Sequence, residues 1–294
     1  MVPLCYCSVE LIYGVTFAEM TKASQEACSR QIEIFPQEKD KRQEGMMEPT
    51  KPENLTQRRV KDNHPGEELA REGLAFLFDL DGTLVDSVYQ HVLAWREALE
   101  QAGIDLSVWR IHRRIGMSGG LFVNALLRET GRQVTAEEAT RIQRLHAEAY
   151  ARQVRQVRPL PGARELLNYL SQAKVPWAIA TSGRLETAKP ALETLGLRSE
   201  VPVITRDQVS YAKPDPDLFL AAAQRLRVSI SASVVVGDSV WDLLAARRAR
   251  ALGVGLLSGG YGQDELERAG AYRVYQDPAD LLRHLDEVGV RVAQ

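Results

Sequence analysis

The stretch Leu74-Ala-Phe-Leu-Phe-Asp-Leu-Asp-Gly82 joins a short run of apolar residues to two aspartates and a glycine. A continuous apolar run that stops at a glycine turn is typical of a strand buried on both faces of a sheet. Side chains two positions apart on an extended segment point the same way, so the carboxylates of Asp79 and Asp81 are predicted to converge. Two carboxylates that close repel each other, which raises a pKa or attracts a cation.

Further apolar runs downstream have the same character, and patterns with apolar residues at spacings of three and four lie between them. The predicted strands are Val175–Ala180, Val201–Ile204, Ser233–Val236 and Ala251–Leu257, and the predicted helices cover residues 162–172, 186–196, 216–226 and 240–250. Strands that alternate with helices indicate an α/β fold. We therefore predict a doubly wound, Rossmann-like parallel sheet with helices on both faces.

The interval between the first two predicted strands, residues 87–160, is too long for one crossover helix. Val88, Val92, Trp95 and Leu99 share one helical face there. We predict a small helical cap domain at 87–160, inserted into a core made of residues 71–86 and 161–294. The interval holds eleven arginines against seven acidic residues. This excess of positive charge would attract an anionic substrate or simply face solvent.

Residues 1–70 differ in composition from the rest of the chain. From Gln37 to Glu68 they are almost wholly polar, and such a segment cannot bury enough apolar area to offset the entropy lost on ordering. We predict a flexible N-terminal extension at 1–70.

Charge and cysteine content argue against several classes of protein. A net charge of −2 over 294 residues gives no support for nucleic-acid binding, which needs a basic surface. Apolar runs of about 18 residues are absent, so we predict no membrane span. The cysteines lie near the start of the sequence and do not suggest a disulfide scaffold; they are Cys5, Cys7 and Cys28. This usage is typical of a reducing, cytoplasmic location, which we predict.

Polar side chains follow other predicted strands as well, at the edge where open parallel sheets place their ligands. Thr181 and Ser182 end the second strand and offer hydroxyl groups. Lys213 stands between Ala212 and Pro214, and its compact cation suits a phosphate.

The segment Val236-Gly-Asp-Ser-Val-Trp-Asp242 follows a later predicted strand and carries two more acids. Asp238 and Asp242 are four positions apart, so a helix that begins here would place both on one face near its positive end. Hard oxygen ligands of this kind suit Mg²⁺.

Together, Asp-x-Asp-Gly-Thr at 79–83, the strand-end Thr181, Lys213-Pro214 and Gly237-Asp-Ser-x-x-Asp242 resemble the haloacid dehalogenase superfamily of hydrolases. The resemblance covers about residues 74–285 and is closest to the branch with a helical cap after the first strand, the phosphoglycolate phosphatase and beta-phosphoglucomutase-like branch.

The resemblance implies a role for each matching residue. Asp79 would be the nucleophile that forms an aspartyl-phosphate, and Asp81 the acid and base. Thr181, Ser182 and Lys213 would hold the phosphoryl oxygens. Mg²⁺ would be bound by the Asp79 carboxylate, the Asp81 backbone carbonyl and Asp238. The supporting residues would be Gly82 and Thr83, which shape the loop, Asp242 beside the metal, and the cap histidine His91, which in related mutases bonds the acid/base aspartate.

The resemblance leaves several activities open. A phosphatase acting on a small phosphomonoester, of the phosphoglycolate or sugar-phosphate type, is the main prediction. Asp81 disfavours carbon–halogen cleavage, which needs no acid, and the lack of lysine from Ser87 to Leu160 excludes the usual phosphonoacetaldehyde mechanism. A hexose-phosphate mutase is an alternative, with Arg113 or Arg114 holding a second phosphate. A non-catalytic binding module on the same scaffold is another. Oligomeric state is not predicted.

Overall fold

The computed structural model describes residues 73–131 and 135–290 of the chain. The eight strands that it contains in these ranges are β1 (Ala75–Phe78), β2 (Val85–Asp86), β3 (Arg158–Pro159), β4 (Trp177–Ala180), β5 (Val203–Ile204), β6 (Ser233–Gly237), β7 (Leu252–Leu256) and β8 (Ala271–Tyr275). The helices in the same ranges are α1 (Val88–Gln101), α2 (Val108–His112), α3 (Gly119–Thr130), α4 (Ala136–Gln153), α5 (Ala163–Gln172), α6 (Leu185–Thr194), α7 (Asp217–Leu226), α8 (Val240–Ala249), α9 (Gln263–Ala269) and α10 (Pro278–Arg283).

The core is a six-stranded parallel sheet in the order β5-β4-β1-β6-β7-β8. This order, with helices on the connections, confirms the predicted α/β class. β1 lies in the middle, where Leu77 pairs with Ala178 of β4 on one side and with Val235 of β6 on the other. Because neighbouring strands end together, the residues that follow β1, β4 and β6 meet at one edge of the sheet.

The apolar character of β1 follows from its central place. Phe76 and Phe78 enter the hydrophobic cluster on one face of the sheet. Ala75 and Leu77 enter the cluster on the other face. All four side chains are fully buried, so the strand reads as a continuous apolar run rather than as an alternating one.

A helical insertion, α1 to α4, lies between β2 and β3. Those two short strands pair antiparallel, Val85 opposite Pro159, so the chain enters and leaves the insertion at one place. The predicted apolar face of α1 is buried in the insertion's own hydrophobic cluster. We call residues 87–160 the cap and the remaining described residues the core; this division remains a prediction, and the predicted extension 1–70 lies outside the described residues.

The end of the chain holds elements that the sequence patterns did not predict. β8, α9 and α10 complete the edge of the sheet. β8 is an edge strand in which Tyr275 is the one buried residue of five, and its register against β7 is irregular, so it lacks the apolar run that identifies a buried strand. Of the helices that the structure describes, none combines the length and the apolar character needed to cross a membrane.

Candidate active site

The two aspartates after β1 are held in place by backbone geometry. The amide of Asp79 continues the sheet by donating to the carbonyl of Val236 at 2.9 Å. The chain then turns at Gly82, where φ is +82°, a value that favours glycine. A Cβ at this position would lie 2.5 Å from Oδ2 of Asp238. Glycine is therefore needed at 82 both for the turn and for the approach of Asp238.

Three buried carboxylates meet beyond the ends of β1 and β6. One oxygen from each of Asp79, Asp238 and Asp242 lies within 4.8 Å of the others. Lys213 is fully buried beside them; its Nζ pairs with Asp79 and lies 2.9 Å from Oδ1 of Asp242. The structure thus brings together four side chains that are up to 163 positions apart in the sequence, and the three acids with Lys213 are called the carboxylate cluster below.

Burial and mutual repulsion dominate the electrostatics of the carboxylate cluster. Burial raises the pKa of Asp79 to about 7, an effect that Lys213 opposes and that Asp242 and Asp81 reinforce. Burial likewise raises the pKa of Asp238 well above its ordinary range, with Asp242 and Asp79 adding to the shift. For Lys213, burial lowers the pKa, but Asp242 and Asp79 outweigh it and the net shift is upward. The cluster therefore has more acids than cations and favours a further positive charge.

The donor set of the carboxylate cluster fits a divalent cation. Asp242 already uses both oxygens: Oδ1 pairs with Lys213, and Oδ2 accepts from the backbone amide of Ser239 at 3.1 Å and from its hydroxyl at 2.5 Å. Asp79 and Asp238 are accordingly the better placed ligands, and Asp242 holds Lys213. Hard carboxylate oxygens of this kind suit Mg²⁺.

Asp238 is fixed by two close neighbours. Thr83 donates its hydroxyl hydrogen to Oδ1 of Asp238 at 2.9 Å. On the other side, a Cβ at Gly259 would lie 1.7 Å from Oδ2 of Asp238, so only glycine fits there. Thr83 was predicted to support the site, whereas Gly259 was not predicted, because a glycine in a loop after a later strand gives no signal of what it packs against.

The carboxylate of Asp81 faces the cap. Its Oδ1 accepts from the hydroxyl of Ser87 at 2.6 Å and lies 3.2 Å from Nε2 of His91 on α1. Burial raises the pKa of Asp81, but His91 and the Ser87 hydroxyl outweigh this, and the net shift is downward. Ser87 was not predicted. The predicted metal contact of Asp81, through its backbone carbonyl, stays a prediction.

The hydroxyl groups of the two residues that follow β4 line the same cavity as Asp79 and Asp81. Oγ1 of Thr181 accepts from the backbone amide of Gly183 at 3.0 Å, which leaves its own hydrogen free for another acceptor. Oγ of Ser182 is buried without a hydrogen-bond partner among the described residues. A buried hydroxyl costs free energy unless it is satisfied, so Ser182 fits an anion bound here.

A cavity of about 500 Å³ opens above these groups, between the cap and the core. Its lining on the core side includes Asp79, Asp81, Thr181 and Ser182. On the cap side the described lining holds two histidines but no lysine, arginine or acid: the residues are His91, Trp95, Ile115, Gly116, Met117, Ser118, Gly119, Gly120, Leu121, Phe122, Asn124, Gln143, His146 and Ala147.

The described arginines of the cap do not line this cavity. Neither Arg113 nor Arg114 is among the described residues that line the cavity. Arg113 forms a two-point ion pair with Glu265 of the core and lies over the ring of Tyr261 at 4.5 Å. The arginines that do line the cavity, Arg184 and Arg206, come from the core.

Comparison with known proteins gives a consistent result. Residues 74–250 match the family model described as haloacid dehalogenase-like hydrolase. A hydrolase of known structure from Pseudomonas syringae is 57% identical, with a TM-score of 0.72 over 74% of this chain and 99% of that one. Hexitol phosphatase A of Escherichia coli is 32% identical over 58% of this chain and 76% of its own length. Phosphoglycolate phosphatase of Agrobacterium fabrum is 32% identical over 62% and 80%.

Proposed function

Since the chain belongs to the haloacid dehalogenase-like hydrolases, we propose that it is a magnesium-dependent phosphatase that cleaves a small phosphomonoester through an aspartyl-phosphate on Asp79. The observation that carries the proposal is the position of Asp79. It lies in the carboxylate cluster with Lys213, two residues from an acid that faces the cap, and it lines the cavity between the cap and the core.

The side chains divide the reaction between them. A carboxylate oxygen of Asp79 attacks phosphorus and the ester P–O bond breaks. Asp81, which has to be protonated once the anionic substrate is bound, gives its proton to the departing alcohol oxygen. Water then attacks the phosphorus of the phospho-aspartate, and Asp81 takes the proton that this water releases. Inorganic phosphate leaves, and both aspartates return to their starting state.

The neighbouring groups bind and orient the phosphoryl group. The hydroxyls of Thr181 and Ser182 donate to its oxygens, and the Lys213 ammonium, fixed by Asp242, offsets charge beside Asp79. Mg²⁺, bound by Asp79 and Asp238, would neutralise the carboxylates and the phosphoryl oxygens, so that one anion can approach another. The cap covers one side of the cavity and so limits the access of bulk water.

The chemistry of the cavity favours a substrate whose alcohol part carries no charge. Asn124 and Gln143 supply amide groups on the cap side, next to the rings of Trp95 and Phe122. Such a wall suits a hydroxyl-rich, sugar-like or polyol group. A carboxylate such as that of phosphoglycolate would have to reach the core arginines, where Arg184 already pairs with Asp207 at 3.1 Å.

The mutase alternative gains no support from this geometry. It requires a cation on the cap for a second phosphate, and the candidate Arg113 is paired with Glu265. The chemistry of one phosphate on a neutral alcohol remains the better match to the described residues of the cavity.

A metabolite screen tests the proposal. Purified protein is incubated with sugar phosphates, polyol phosphates and phosphoglycolate in Mg²⁺ or EDTA, and phosphate release is measured. We expect release from at least one polyol or sugar phosphate, abolished by EDTA and by Asp79→Asn. If pure protein releases no phosphate from any ester but binds phosphate tightly, a binding module is the correct description.

A further inference from the structure

The imidazole ring of His91 uses both of its nitrogens. Nε2 lies 3.2 Å from Oδ1 of Asp81, and Nδ1 lies 3.1 Å from Nε2 of His146. His91 belongs to α1 and His146 to α4, so the pair of histidines bridges two helices of the cap. A line of three polar side chains therefore runs from the cap interior to the acid/base residue.

His146 packs against aromatic rings, and its surroundings favour the neutral imidazole. Its ring stacks on Trp95, with centroids 4.0 Å apart. Burial, with a smaller contribution from His91, lowers its pKa well below the ordinary value. A neutral imidazole has one donor and one acceptor nitrogen. Nε2 of His146 therefore either donates to His91 or accepts from it, depending on which nitrogen carries the hydrogen.

The hydrogen-bond pattern fixes the tautomer of His91. Oδ1 of Asp81 accepts from Ser87, and the proton for the leaving group belongs to the other carboxyl oxygen, so Oδ1 is an acceptor and the bond from His91 requires hydrogen on Nε2. In neutral His91, Nδ1 then carries a lone pair, and His146 must donate to it. His146 thus selects the form of His91 that donates to Asp81, as a second group commonly does for a functional histidine.

A second contact from α4 holds the plane of the ring. Tyr150, four positions after His146 on the same helical face, stacks on His91 with centroids 3.9 Å apart and ring planes 7° apart. Tyr150 orients the ring plane and His146 orients the ring within that plane. Ser87 and His91 both bond Oδ1 of Asp81, which leaves the other carboxyl oxygen for the transferred proton.

We propose that His146 is a positioning residue, which acts through His91 to hold Asp81 in the orientation that protonates the leaving alcohol. This role rests on the function proposed above. It predicts that substitution of His146 lowers kcat/KM only for substrates whose leaving oxygen needs a proton. A merely structural residue would slow all substrates alike.

Aryl phosphates of similar size but different leaving-group basicity test this prediction. We expect His146→Leu to lower kcat/KM for phenyl phosphate about tenfold, a fraction of the 10²–10⁴ typical of a complete acid. For 4-nitrophenyl phosphate, whose leaving group departs without a proton, kcat/KM should stay within about twofold of wild type. His146→Gln, whose amide places a donor near the position of Nε2, should restore most of the loss.

Each other outcome has a definite meaning. An equal loss on both aryl phosphates, or no loss on either, overturns the positioning role. A rise in KM on both substrates with unchanged kcat overturns it too, since His146 then contacts the substrate. Because the two substrates are compared within one preparation, partial unfolding cancels, and His146→Asn, whose amide is too short, repeats the test if the leucine variant is insoluble. Full activity in Asp79→Asn would instead reject the proposed function itself.

Discussion

Nζ of Lys213 lies 2.9 Å from Oδ1 of Asp242 and pairs at the same time with Asp79, with no side-chain exposure for the lysine. This lysine is the cation of a cluster that holds three carboxylates. The arrangement links catalysis to stability, because the residue that screens the nucleophile also offsets buried negative charge.

Replacement of Lys213 by methionine should destabilise the fold. It leaves the acids of the cluster buried without their cation, and breaking a buried pair in this way typically costs about 3–5 kcal/mol. Asp242→Asn should cost much less, because it also removes repulsion from Asp79 and Asp238. Urea unfolding in EDTA at pH 7.5 measures both. Equal midpoints for wild type and Lys213→Met would contradict the prediction.

Mg²⁺ should stabilise the wild-type protein in a concentration-dependent way. A ligand that binds only the folded state at 100 times its Kd adds about 2.7 kcal/mol. The rise in melting temperature should vanish in Asp238→Asn, which lacks a ligand. Asp264→Asn serves as the matched control, because its side chain is 79% exposed and pairs with Arg268. If Asp238→Asn responds to Mg²⁺ like the control, Asp238 is not a ligand.

Gly259→Ala should abolish Mg²⁺ binding, although the substitution adds only one methyl group. The new Cβ would meet Oδ2 of Asp238 at 1.7 Å, so the carboxylate must move. At Gly262 the nearest atom to a built Cβ is a side-chain oxygen of Glu265 at 3.5 Å, which makes Gly262→Ala the control. Isothermal titration with Mg²⁺ compares the two, and wild-type affinity in Gly259→Ala would refute the packing argument.

The neutral state of His146 should make the cap sensitive to acid. Its pKa is lowered by burial and then by His91, so the unfolded chain takes up a proton near pH 6.5 while the folded chain does not. Its favourable contribution is therefore present above about pH 6.5 and is lost progressively as the pH falls below that value.

Urea midpoints at pH 7.5 and pH 5.0 check the sign of this effect. The difference between the two pH values should shrink in His146→Gln, which cannot take the proton. Trp95→Phe loosens the aromatic packing around His146 without removing a titrating group. It should therefore lower both urea midpoints and preserve the difference between them. An unchanged difference in His146→Gln would show that another group causes the acid sensitivity.

Much of the fold could be predicted because its signals are local. β1, β4 and β6 are buried on both faces, so each appears in the sequence as an uninterrupted apolar run. Acids and hydroxyls that directly follow β1, β4 and β6 mark one edge of a parallel sheet, and Asp79 and Asp238 meet there with Lys213 from the loop after β5. β8 escaped prediction because an exposed edge strand has no such run.

The contacts that escaped prediction join residues far apart in the sequence. His91 and His146 are separated by 55 positions and lie on different helices, and periodicity describes one helix at a time. Gly259 lies 21 positions after the carboxylate that it admits. Arg113 appeared available for a phosphate until the structure showed Glu265 beside it. Side-chain partners of this kind depend on how elements pack.

Gly259 takes part in two contacts, one with the cap and one with the carboxylate cluster. Its carbonyl oxygen lies 2.8 Å from Nε2 of His112, at the end of α2 in the cap, while its missing side chain gives Asp238 room. Gly259 thus contacts the cap through its carbonyl oxygen and borders the carboxylate of Asp238 through its Cα. A side chain at position 259 would therefore disturb the contact with the cap and the position of Asp238 together.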